Sequence, residues 1–221
     1  MSETIRLTAE DGHEMDAYLA GPEGTPKGGL VVCQEIFGVN QHMRTVVDRF
    51  ANAGYLTVAP ALFDRVKQGV DLGYEQEDVI SGQAIRAGVT FDDAVKDVEA
   101  GRKAVESAGK VGVVGYCWGG SVAWMAACRL PVAVAVCYYG GQIHDHPHET
   151  PGCPVTMHFG MLDTSIPTEY VNEIRAAQPT AEVFLYPAGH GFNCDHRAAF
   201  EPTSAEQALE RTLNRFAVEL A

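Results

Sequence analysis

Basic side chains are scarce in this sequence. Sixteen Lys and Arg stand against 29 Asp and Glu in 221 residues, for a formal net charge of -13. That balance excludes nucleic acid as a partner, because its phosphates would be repelled. Small anionic substrates remain open, since local charge in a pocket can oppose the global sign. Long hydrophobic runs are also missing. The longest, Val132 to Tyr139, has the length of a strand and is too short to cross a bilayer, so no membrane association is expected. Met1 to Glu14 is charged and has no apolar core of the kind a leader peptide needs, so secretion is not expected either. Six cysteines occur without any C-x-x-C pair and read as reduced thiols of a cytoplasmic protein. No repeat, low-complexity tract or linker divides the chain, and residues 1–221 suit one domain with a substantial core.

What is present is an alternation of short β-branched runs with longer stretches of helical period. Thr4 to Thr8 and Met15 to Leu19 flank Asp11-Gly12 as a hairpin would. Gly29 to Gln34 reads as a buried strand, and a helix follows from about Gln41 to Ala53, with Asn40 as N-cap and Gly54 at its end. Tyr55 to Ala59 is the next strand. Asp64 to Gly88 is the least regular part, polar and glycine-punctuated, with the character of an excursion over a site. Thr90 caps a helix running through Ala108. Strands at Val111 to Val114, Ala133 to Tyr139, Val155 to Gly160 and Glu182 to Tyr186 alternate with helices, including Thr168 to Ala177 and a final one with Leu209, Leu213, Phe216 and Leu220 as its apolar stripe. Such alternation implies a mostly parallel sheet covered by helices on both faces.

Gly115-Tyr116-Cys117-Trp118-Gly119 has the G-x-nucleophile-x-G form of the α/β-hydrolase elbow, with cysteine in place of serine. A nucleophile on a sharp strand-to-helix turn has strained backbone angles, so its neighbours must lack colliding side chains. Gly115 and Gly119 meet that need, and Gly120 lets the helix approach the sheet. The helix N-terminus behind Cys117 favours negative charge on its sulfur. In this fold the acid and the histidine follow the nucleophile in that order, each after a strand. Asp163 follows Val155 to Gly160, and His190 lies in the glycine-bracketed loop past Glu182 to Tyr186. His190 would move the thiol proton, and Asp163 would fix its tautomer. Backbone N–H groups of Trp118 and Ile36 are the expected oxyanion hole.

Four segments together resemble the dienelactone hydrolase family over nearly the whole length. They are Gln34-Glu35-Ile36-Phe37-Gly38-Val39-Asn40, Val114 to Gly120, Tyr138-Tyr139-Gly140 and Gly189-His190-Gly191-Phe192. The resemblance implies an α/β-hydrolase fold and a Cys-His-Asp triad that opens an enol-lactone to maleylacetate. It implies that Glu35 modulates the thiol, contacting it at rest and releasing it when substrate binds, and that Phe37 and Tyr138 line the substrate pocket. It also implies two arginines on the substrate carboxylate, one of them four residues after the histidine. That position is Cys194 here. Arg86 is a candidate for the other, and His196 or Arg197 for a substitute.

A thiolate is expelled from a tetrahedral intermediate more easily than an alkoxide, so forward collapse favours good leaving groups such as enols, aryl alcohols or thiols. The first reading is therefore a cofactor-free hydrolase of enol-lactones or activated esters, acting through a thioester on a small-molecule substrate. A carboxylesterase or thioesterase of different scope is the alternative, and a non-catalytic thiol redox sensor or ligand binder is a third. Cys33, Cys128, Cys137 and Cys153 lie in apolar contexts and read as core thiols. His144-Asp145-His146-Pro147-His148 resembles a metal cluster, but no matching ligand set accompanies it, and no metal is expected. Asp195 rivals Asp163 as the acid, though no strand precedes it.

Overall fold

The computed structural model describes residues 2–221. Strands β1 (Ser2–Thr8) and β2 (Glu14–Ala20) pair antiparallel around a turn where Gly12 takes φ 85°. The six that follow are parallel to one another: β3 (Gly29–Cys33), β4 (Leu56–Pro60), β5 (Val111–Tyr116), β6 (Val134–Tyr138), β7 (Val155–Gly160) and β8 (Glu182–Tyr186). They join β1 and β2 in one sheet of order β1-β2-β4-β3-β5-β6-β7-β8. Every residue of β3, β5, β6 and β7 is buried, because crossover helices cover both faces. Parallel strands place their C-terminal ends along one edge, which is where such sheets build sites.

The helices are α1 (Gln41–Asn52), α2 (Gln76–Arg86), α3 (Phe91–Val105), α4 (Trp118–Arg129), α5 (Thr168–Ala177) and α6 (Pro202–Glu219). Asn40 caps α1 as expected, its side chain accepting from Met43 N at 3.2 Å. The buried face of α1 is Met43, Val46, Val47 and Phe50, each contributing about 1.5–3 kcal/mol by leaving water. Thr90 caps α3, accepting from Asp93 N at 3.1 Å. The α-helix stops at Val105, short of the expected Ala108. A 3-10 turn over Glu106–Ala108 replaces its last turn and leads into Gly109 at φ 111°.

The segment read as irregular, 64–88, contains α2. Its helical period was hidden because it lacks an apolar stripe: Gly82 is its one buried residue. A capping box between Glu75 and Asp78 starts it. Backbone approach seats it, since a Cβ on Gly82 would collide with the Ile36 carbonyl oxygen. The stretch before α2 is tied to the loop after β3. Gly38 and Asp71 form an isolated antiparallel bridge, Leu72 N donates to Phe37 O at 3.0 Å, and Asn40 Nδ2 donates to Leu72 O at 2.9 Å. Among the described residues no helix is long and apolar enough to cross a membrane.

Candidate active site

β5 ends at Tyr116, and Cys117 turns the chain into α4 with φ 55° and ψ -122°. The turn is held by Cys117 N donating to Tyr138 O at 3.0 Å and Gly120 N donating to Cys117 O at 2.9 Å. The elbow glycines are all filled by backbone. A Cβ on Gly115 would strike the Gly119 carbonyl, one on Gly119 the carbonyls of Cys33 and Gln34, and one on Gly120 the Tyr138 carbonyl. Only chain without side chains reaches this packing.

The loops after β7 and β8 bring two further groups to the sulfur. His190 Nε2 is 3.2 Å from Cys117 Sγ, and His190 Nδ1 is 2.7 Å from Asp163 Oδ2. A carboxylate can only accept, so Nδ1 carries a proton. Asp163 is itself anchored, its Oδ1 accepting from Ser165 N at 2.8 Å and Ile166 N at 3.2 Å. Burial works to lower the His190 pKa. The Cys117 sulfur and the Asp163 carboxylate outweigh it and hold the imidazolium up to about 10. Cysteine, histidine and aspartate thus meet as the chain order predicts. Asp195, the rival acid, bonds His42 instead, at 3.1 Å.

Cys117 and His190 open into a cavity of about 470 Å³. Phe37 lines it, and so do Ile36 and Trp118, the residues expected to supply the oxyanion hole. Among the described residues no acceptor takes the N–H of Ile36 or of Trp118, so both remain available to an oxyanion. Tyr138 does not line it. Its ring is fully buried, stacked on Tyr116 at 4.6 Å, with its hydroxyl 2.7 Å from Thr212 on α6. The next residue, Tyr139, lies just past the end of β6 and lines the cavity instead. Tyr139 has φ 39°, and its ring centroid is 5.1 Å from that of His190.

Both arginine candidates reach the cavity. Arg86 arrives on α2, and Arg197 from the loop before α6. Arg197 lies over Gly191, where any Cβ would strike its guanidinium, and 5.5 Å above the Phe37 ring. It donates to Glu35 Oε1 at 3.4 Å. Glu35 is fully buried and bonds the arginine, not the sulfur, which His190 occupies. Val79 and Gln83, which the irregular reading of 64–88 passed over, join Arg86 on the wall.

The six cysteines are all free thiols. Burial pushes the Cys194 thiol up to about 12 and raises the Cys33 and Cys137 thiols as well. The histidine run is dispersed: His144 bonds Glu173 at 2.7 Å and stacks on Tyr170, while His146 faces Glu149.

The sequence model of the dienelactone hydrolase family matches residues 15–220. Carboxymethylenebutenolidase of Pseudomonas putida is 34% identical over 226 residues, covering 97% of this chain and 95% of its own. The crystal structure of a Klebsiella pneumoniae protein provisionally named a dienelactone hydrolase superposes with a TM-score of 0.86 at 29% identity, over 98% of this chain and 99% of that one. A dienelactone hydrolase-like promiscuous phosphotriesterase from metagenomic libraries shares the fold, with a TM-score of 0.81 at 17% identity over 99% and 98% of the two chains.

Proposed function

The chain belongs to the dienelactone hydrolase family, and from that premise we propose that it opens an enol-lactone or related activated ester through a thioester on Cys117. The observation that carries this reading is the continuous bonding from Asp163 through His190 to the Cys117 sulfur, at 2.7 and 3.2 Å. The sulfur attacks the carbonyl carbon, and its proton resides on His190. The carbonyl oxygen becomes an oxyanion, met by the N–H groups of Ile36 and Trp118. Collapse of this intermediate breaks the carbon–oxygen bond of the lactone, and the leaving enolate takes the proton from His190. Water then gives a proton back to His190 and attacks the thioester carbonyl. The thiolate is expelled and the carboxylic acid released. No cofactor enters the scheme.

Arg86 and Arg197 supply the positive charge for an anionic lactone that Cys194, in the position of the family arginine, does not. Arg197 also draws Glu35 off the sulfur, which is the arrangement the family resemblance assigns to the substrate-engaged enzyme. The test follows the ultraviolet absorbance of a dienelactone mixed with wild type and with Cys117→Ala. Wild type should consume it, and the variant should lose at least about 10⁴-fold in kcat with the fold retained. Activity persisting in Cys117→Ala would overturn the mechanism. Silence in both, with turnover of neutral aryl esters by wild type, would favour the alternative substrate scope.

A further inference from the structure

Three buried side chains, two from the β3–α1 region and one from the far end of the chain, converge beside the Cys117 cavity. Glu35 follows β3, His42 is in the first turn of α1, and Cys194 is in the loop after β8. A carboxylate oxygen of Glu35, a ring nitrogen of His42 and the sulfur of Cys194 all lie within 4.8 Å of one another. All three residues are 0% exposed. Two of their atoms are orphans, since among the described residues Glu35 Oε2 and His42 Nε2 have no hydrogen-bond partner. A buried polar atom left unpaired has lost its water without gaining a partner, and the cost is greater when the atom is charged. Two such atoms in one cluster point to a ligand that satisfies both.

The orientation of His42 says which kind. Its Nδ1 lies 3.1 Å from Asp195 Oδ1, so Nδ1 carries the proton and Nε2 keeps its lone pair. A metal-bound histidine is held in this way, one nitrogen free for the ion and the other donating to a carboxylate. Magnesium and calcium want oxygen donors throughout. A set of one oxygen, one nitrogen and one thiol sulfur suits zinc or a metal like it.

We infer that Glu35, His42 and Cys194 form a binding site for a zinc-like divalent cation, with water in the fourth position. Zinc with bonds of about 2.0–2.3 Å puts tetrahedral donors roughly 3.5 Å apart. Separations of up to 4.8 Å close to that by side-chain rotation. On binding, the Cys194 S–H bond breaks and its proton goes to solvent. Bonds to sulfur, nitrogen and oxygen replace waters of the aqueous ion, and thiolate and carboxylate together cancel its two charges. Arg197, the facing cation, is on Glu35 Oε1, leaving the unpaired Oε2 for the metal. The Tyr74 hydroxyl lies beside the Cys194 sulfur, and the His196 ring 5.6 Å from His42. Occupancy would hold Glu35 away from Cys117. That consequence rests on the role proposed for Glu35, whereas the binding itself does not.

The experiment titrates metal-free full-length protein with Co²⁺ and with Zn²⁺. It reads the sulfur-to-cobalt charge-transfer band and the zinc stoichiometry by calorimetry. One site per chain is expected, retained in Cys117→Ala and weakened at least about 100-fold in Cys194→Ser and His42→Gln. Asp195→Asn, which leaves all three ligands in place, should weaken it about 10–100-fold. Circular dichroism checks that each variant is folded. Absence of binding by folded wild type overturns the inference. So does a site lost in Cys117→Ala and kept in Cys194→Ser, which would place the metal on the Cys117–His190 pair.

Discussion

Cys117 holds φ 55°, a conformation that costs an L-residue about 1–3 kcal/mol and persists only when its surroundings over-determine it. The surroundings here are carbonyl groups packed against glycines. Gly119 approaches the Cys33 and Gln34 carbonyls so closely that no rotamer change could relieve an added methyl group. Gly119→Ala should therefore cost more than about 3 kcal/mol in urea unfolding, and a variant within about 1 kcal/mol of wild type would refute this account of the elbow. The elbow was legible in the sequence because its requirement is local: glycines at fixed offsets around one nucleophile. Asp163 and His190 were legible because chain order and preceding strands constrain them. Tyr139 was missed in favour of Tyr138, since the strand ends between them and Tyr139 turns away at φ 39°, which no strand pattern shows. The meeting of Glu35, His42 and Cys194 leaves no trace in a linear pattern.

At the scale of elements, α2 shows how a helix escapes a periodicity reading. Ile80 is 58% exposed and Gly82 is buried, so polarity does not mark its inner face. The helix is placed by a backbone contact with Ile36 and by the bonds that tie residues 71–74 to the β3–α1 loop. By contrast α1 and α3 carry a capping side chain and a continuous apolar face; α1 was legible to within a residue, and α3 at its start but not at its end, where a 3-10 turn replaces the last helical turn. Because α2 delivers Arg86 to the cavity, Arg86→Ala should act on substrate charge. A charged hydrogen bond contributes about 1.5–3 kcal/mol, so KM for an anionic lactone should rise roughly 10-fold or more, with little change for a neutral aryl ester. Equal effects on both substrates would remove Arg86 from substrate binding.

For the molecule as a whole, the Cys117–His190–Asp163 contacts link protonation to stability. The His190 pKa is raised from 6.5 to about 10, so the stability it contributes is complete below about 6.5. It drains away between there and about 10, where folded and unfolded chains both lose the proton. The stability gap between wild type and His190→Asn, from denaturant titrations, should narrow over that interval as pH rises. A gap that widens with pH would contradict the pairing. The sheet also sets an order of failure. β8 bonds β7 on one side and no other strand among the described residues, yet its loop carries His190. Edge segments open at lower free energy than the middle of a sheet. In rising urea, turnover should vanish at a lower midpoint than the far-ultraviolet circular dichroism, and coincident midpoints would refute this. Peripheral fraying would then act as a fuse, disarming the central nucleophile while the scaffold around it still stands.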